Sequence, residues 1–210
     1  MSNVEILGLF PSPVYRTQID KKLTEKELSV ISNCAKDKHS NQGNNTSKDS
    51  YILNNSVFSD LKKEFKKHIN DYFDKIICPH SNQSITPYIT QSWLNWTKTE
   101  EYHHRHSHAN SLVSGVYYID VDSEKDKINF YKHFNHEHIS LEVKEGHHNE
   151  FNSTSWWLPI KTGELLLFPS SLEHGVDLVK SEKTRISLAF NVFIKGVLGS
   201  NEKKTELEIA

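Results

Sequence analysis

The sequence predicts a mainly β protein with N-terminal helices, its strands stacked as a sandwich, jelly roll or barrel. Three observations carry this. Beyond Pro87, seven short runs rich in aromatic and β-branched residues follow one another, split by polar or glycine turns, with no helical period between them. That absence of βαβ alternation excludes a doubly wound sheet. Before Pro87 lie a capping box and one long amphipathic segment. Finally, 210 residues at 36% hydrophobic and 25% charged are the size and composition of one soluble globular unit. The expected organisation is a single domain over 1–210: a helical support region over 1–85, a β core over 86–195 and a charged, frayed tail over 196–210.

In chain order, Val4–Phe10 reads as a short strand, broken by Pro11-Ser12-Pro13, and Val14–Ile19 alternates as a second. Thr24 with Glu27 three residues on is a capping box, so a helix starts there and runs to about Lys36. Residues 37–54, rich in Asn, Ser and Asp, read as a mobile loop, either plain surface or a lid. Over Ser56–Ile77, Val57, Leu61, Phe65, Ile69, Phe73 and Ile76 recur at steps of three or four with lysines opposite, a helix packed on a sheet. The strand runs are Tyr88–Trp96, Leu112–Val121, Lys127–Tyr131, His138–Val143, Ser155–Ile160, Glu164–Phe168 and Arg185–Ile194.

A net charge of -2 argues against nucleic acid as a partner, which calls for a basic excess or stripe. No apolar run approaches membrane-spanning length, and the first residues lack the basic and apolar regions of a signal peptide. Cys34 and Cys78 are too few for a disulfide framework and read as thiols of a reducing compartment. The expected location is therefore cytoplasmic. A homodimer is compatible with everything above.

The chemistry concentrates in two places. Of 13 histidines, four fall between His103 and His108. In extended backbone, residues two apart share a side, so His106 and His108 can aim two imidazoles at one metal ion. His104 has the same parity and leaves the register open by one step. A third ligand must come from elsewhere, and His174, just past the run Gly163–Phe168, is the candidate. Standing alone it would read as a turn histidine. Eleven residues on comes Arg185, one of only three arginines against 22 lysines, with Ser187 on the same strand face. A guanidinium facing the interior beside a hydroxyl suits a carboxylate in bidentate contact, unless a structural Asp or Glu pairs with it. Tyr117 and Tyr118 alternate across their strand, so one of them faces this site. Trp93, Trp96, Trp156 and Trp157 suit either a pocket or packing. His133, His136, His138, His147 and His148 suit a solvated hairpin better than a second metal.

This pattern resembles the 2-oxoglutarate/Fe(II)-dependent oxygenases. Three segments are similar to one such family from bacteria and their phages: Leu9-Phe10-Pro11-Ser12-Pro13-Val14-Tyr15, His106-Ser107-His108-Ala109-Asn110-Ser111 running into Ser114-Gly115-Val116-Tyr117-Tyr118, and Gly163–His174 with Arg185–Asn191. The resemblance implies a double-stranded β-helix, a jelly roll with flanking helices. It implies Fe(II) on His106, His108 and His174, and 2-oxoglutarate chelating the iron and reaching Arg185 and Ser187, with Tyr117 and Asn191 beside it. It further implies dioxygen as co-substrate and hydroxylation of a small molecule or peptide, with 2-oxoglutarate decarboxylated to succinate.

One departure stands out. His108 occupies the position where most of this superfamily has a carboxylate, so three neutral imidazoles leave the bound cation with its full charge. Asp120 or Asp122 is the alternative third ligand. Two rival readings remain. A cupin-like metalloenzyme fits the histidines and Gly163–His174, but lacks the Glu expected after the hook and has no use for Arg185 and Ser187. A non-catalytic metal-binding jelly-roll module would close the metal with a fourth protein ligand.

Overall fold

The computed structural model describes residues 5–80, 84–132 and 141–210. Antiparallel strands build two sheets. The larger is formed by β1 (Tyr15–Gln18), β2 (Lys38–Ser40), β3 (Asn45–Ser47), β4 (Ser84–Thr97), β6 (Val113–Asp120), β9 (Glu164–Pro169), β11 (Arg185–Leu198) and β12 (Leu207–Ile209). Its order is β1-β9-β6-β11-β4-β3-β2, with β12 on β11. The smaller has the order β5-β10-β7-β8, from β5 (His103–His106), β7 (Lys127–Tyr131), β8 (Ser155–Pro159) and β10 (His174–Val176).

The helices are α1 (Glu25–Cys34) and α2 (Ser59–Tyr72). Thr24 caps α1 reciprocally: its hydroxyl accepts from Glu27 N–H at 3.2 Å, and the Glu27 carboxylate accepts from Thr24 N–H at 2.7 Å. α2 buries Leu61, Phe65, Ile69 and Tyr72, as the periodicity predicts. It continues as a π-turn, Phe73–Ile77, whose wider winding swings Ile76 off the buried stripe and leaves it partly exposed.

Two apolar layers result. One joins α1 and α2 to the outer face of the large sheet: Phe65 stacks on Phe190 with centroids 5.1 Å apart and meets Tyr117 at 5.3 Å. Gly115 is required here, because a Cβ at that position would lie 2.2 Å from the Phe190 ring. The other lies between the sheets and contains Tyr118, Ile128, Phe130, Leu166 and Phe168. β9 serves both layers, Leu165 and Leu167 outward, Leu166 and Phe168 inward, and so reads as a continuous apolar run. Among the described residues no helix is long and apolar enough to cross a membrane.

Four expectations need correction. Residues 5–10 form no strand, and Ile6, Leu7, Leu9 and Phe10 are exposed. Residues 37–54 are no mobile lid: β2 and β3 make a hairpin whose Thr46 pairs with Asn95 on β4, and Ile52 and Leu53 are buried. Serine hydroxyls on both sides satisfy backbone groups: Leu94 N–H on β4 donates to the Ser47 hydroxyl at 3.0 Å, and Leu53 N–H donates to the Ser92 hydroxyl on β4 at 2.9 Å. The tail adds β12 to β11 through Leu207–Ile209. Residues 141–143 form no strand, while residues 138–140, His133 and His136 lie outside the described residues.

Candidate metal centre

His106 on β5 stands directly opposite His174 on β10, so the pairing of two short strands brings imidazoles from distant parts of the chain together. Their ring centroids are 4.4 Å apart. His108, two residues past His106, completes the triangle at 4.9 Å from His106 and 5.3 Å from His174. Potential ligand nitrogens of the three lie within 4.8 Å of one another. The His108 backbone N–H donates to the Ser170 carbonyl at 3.0 Å, which ties the hook to the end of β9.

Hydrogen bonds select the tautomers. His106 Nδ1 lies 2.7 Å from the His104 carbonyl and His174 Nδ1 lies 3.0 Å from the Leu172 carbonyl. A carbonyl only accepts, so each Nδ1 carries the proton and each Nε2 keeps its lone pair for a metal. Burial holds the imidazoles neutral: it is the main cause that lowers His108 to about 4 and His174 to about 3, and it lowers His106 as well.

His103, His104 and His106 form a second cluster. There the Asn41 amide Nδ2 lies 3.3 Å from His103 Nε2 and, donating, takes up that nitrogen's lone pair. His106 has one lone pair left to give. The Asn41 contact thus weighs against His103 as a ligand, while His106 belongs to both clusters. Neither alternative carboxylate joins them. Asp120 pairs with Lys183, and Asp122 accepts from Ser181 Oγ at 3.0 Å. Among the described residues His147 and His148 belong to no three-ligand cluster.

Arg185 lies in the same cup with Ser187, Asn95 and Trp93. It is 4% exposed, and among the described residues no carboxylate comes within ion-pair distance of it. Its Nε has no hydrogen-bond partner, and neither does the buried hydroxyl of Tyr118, whose ring lies 5.3 Å from the guanidinium. Asp126 feels that charge from beyond ion-pair reach and accepts instead from Asp122 N–H at 2.9 Å. A buried guanidinium with an unmatched N–H and no carboxylate partner is a donor waiting for an anion.

Tyr117 does not meet this cup. Alternation along β6 sends it into the helix-facing core against Phe65, and Tyr118 takes the inward place. Asn191 sits one layer back, where its Oδ1 accepts from Ser114 Oγ at 3.2 Å while Ser114 lines the cup. Sequence reasoning missed Asn95 and the inward turn of His103. The alternation of Trp93, Asn95 and Thr97 on β4 was a signal for the first. The second follows from a register irregularity between β5 and β10, which no local pattern announces.

The profile of one protein family, described as "Putative 2OG-Fe(II) oxygenase", matches residues 91–191. A search of curated protein sequences finds no match. Among solved structures, the viral collagen prolyl hydroxylase of Paramecium bursaria Chlorella virus-1 is similar at 13% identity and TM-score 0.53, over 85% of this chain and 94% of that one. A Pseudomonas putida prolyl-4-hydroxylase is similar at 10% identity and TM-score 0.52, over 85% and 91%. HygX of Streptomyces hygroscopicus, solved with nickel, 2-oxoglutarate and hygromycin B, is similar at 11% identity and TM-score 0.52, over 86% and 82%. The structural likenesses establish the jelly-roll fold. The family match spans His106, His108, His174 and Arg185, and over that span the chain is similar to the 2OG-Fe(II) oxygenases.

Proposed function

We propose that this protein is a 2-oxoglutarate- and Fe(II)-dependent dioxygenase that hydroxylates a peptide or small-molecule substrate. One observation carries the reading: three neutral imidazoles with lone pairs free share a cup with a buried, unpaired guanidinium. The donor set suits iron, for which imidazole is a good ligand, and three protein ligands leave positions open. The orphaned Arg185 Nε and Tyr118 hydroxyl suit the far carboxylate of a diacid.

When bound, iron with 2-oxoglutarate supplies the oxidising equivalents drawn from dioxygen, with succinate and carbon dioxide released. The chain's own part is to hold and orient. His106, His108 and His174 would hold the cation through their ring-nitrogen lone pairs. Arg185 and Ser187 would fix the diacid's distal end, Tyr118, whose ring lies 5.3 Å from the guanidinium, would add a third donor in the place first expected of Tyr117, and Asn191 steadies the wall through Ser114. Val116, Ile128 and Ala189 keep the cup apolar between these groups, which strengthens each polar contact inside it. Trp93, 5.5 Å from His108, frames the side from which a substrate would approach the metal.

Anaerobic titration of the metal-free protein with Fe(II) and then 2-oxoglutarate tests this. The expected result is a visible charge-transfer band from the chelated keto acid, followed on admitting air by stoichiometric succinate. Folded protein that binds Fe(II) but shows neither band nor succinate would return the chain to the cupin-like or purely binding alternatives.

A further inference from the structure

The acids near the candidate centre are all committed elsewhere. Among the described residues, no aspartate or glutamate lines the cup. Glu173, next to His174, pairs with Arg105. Asp120 pairs with Lys183, and Asp126 accepts from the Asp122 backbone. The charged protein group that remains in the cup is Arg185. With neutral imidazole ligands, entry of a divalent cation turns one positive charge in the cup into three, with no protein anion inside the cup and Asp126 beyond ion-pair reach outside it. A cation bound alone is therefore held by lone pairs against the repulsion of a nearby guanidinium, in surroundings that screen poorly. 2-Oxoglutarate brings two carboxylates, one to the metal and one to Arg185, and cancels two of the three charges.

On the reading proposed above, we propose that 2-oxoglutarate gates metal loading: the cofactor supplies the carboxylate that His108 withholds, so cation and diacid bind as a strongly coupled pair. The coupling is reciprocal, each ligand tightening the other by one and the same factor. The protein stays largely metal-free when 2-oxoglutarate is scarce and fills when it is abundant.

Calorimetric titration with Ni2+, which is redox-silent here, measures this on the intact chain. Saturating 2-oxoglutarate is expected to tighten Ni2+ binding at least about tenfold, within the usual range of coupling between sites. 2-Oxopentanoate, a keto acid that still chelates but has no distal carboxylate, is expected to give a clearly smaller gain, because Arg185 stays unpaired. In His108→Asp, where the protein provides the missing charge, the gain from 2-oxoglutarate is expected to shrink to less than about threefold. Ni2+ affinity unchanged by bound 2-oxoglutarate overturns the gate, and so does an equal gain in His108→Asp or with 2-oxopentanoate. The two keto acids are compared on the unaltered protein, so the gate stays open to refutation even if His108→Asp fails to fold. Failure of the unaltered protein to bind Ni2+ under any condition would instead remove the metal centre itself, and the gate with it.

Discussion

The two faces of β11 are built from alternate residues of one strand, yet they obey different rules. Outward, Ile186, Leu188, Phe190 and Val192 pack against α2 and the rest of the helix-facing core. Inward, Arg185, Ser187 and Ala189 line the cup. The outer face holds the molecule together by apolar burial and tolerates no gap. The inner face leaves polar groups unpaired, which costs stability and makes sense only if a ligand completes them. Stability and function are thus separated by the strand's two-residue period, a side-chain length apart.

Substitutions that strike one face and spare the other test this division. The largest effect is expected from Phe65→Ala, which removes a fully buried ring stacked on Phe190: a loss of about 3–5 kcal/mol in denaturant unfolding, with metal affinity unchanged in the protein that stays folded. Arg185→Met on the other face should weaken 2-oxoglutarate binding by about 10- to 100-fold, the worth of a charge-assisted contact, while the melting temperature holds or rises. A marked drop in melting temperature would show the guanidinium to be structural. Next is the tyrosine pair. Tyr118→Phe should raise the dissociation constant of 2-oxoglutarate severalfold, about 1 kcal/mol, and Tyr117→Phe should leave it unmoved. The reverse result would put the wrong ring in the cup.

The most gradual change is with pH. His103, His106, His108 and His174 all have folded-state values lowered by burial from the ordinary 6.5. Below that value the unfolded chain binds protons that the folded chain refuses, so stability is complete above about pH 6.5 and declines as pH falls. The metal-free protein should therefore melt progressively lower from pH 7 to pH 5, and bound metal should steepen the decline. A flat profile over that range would mean these rings are more open to water than their burial implies.

Much of this was legible in the sequence because it depends on short-range rules. The α1 cap is a reciprocal contact across three residues, and α2 shows itself through one apolar stripe. β6, β7, β9 and β11 fall close to the expected runs because their composition suits strands whatever surrounds them. The candidate ligands were legible for another reason: clustered histidines and a scarce arginine stand out against a chain rich in lysine. Residues 37–54 were misjudged because a polar hairpin owes its order to β4, some forty residues away, with which it exchanges backbone and hydroxyl contacts.

The sequence by itself determined which residue types are available for chemistry and where the two helices and the longer core strands lie, since these rest on local preference and periodicity. Only the tertiary structure decided which of them meet. The choice of Tyr118 over Tyr117 turned on which sheet face the helices cover. That His106 and His108 come together with His174 depended on the pairing of β5 with β10. Leaving Arg185 without an ion pair required the acids Asp120 and Glu173 to pair with Lys183 and Arg105. Such outcomes are settled between groups far apart along the chain, where only packing of the whole molecule fixes distance and direction.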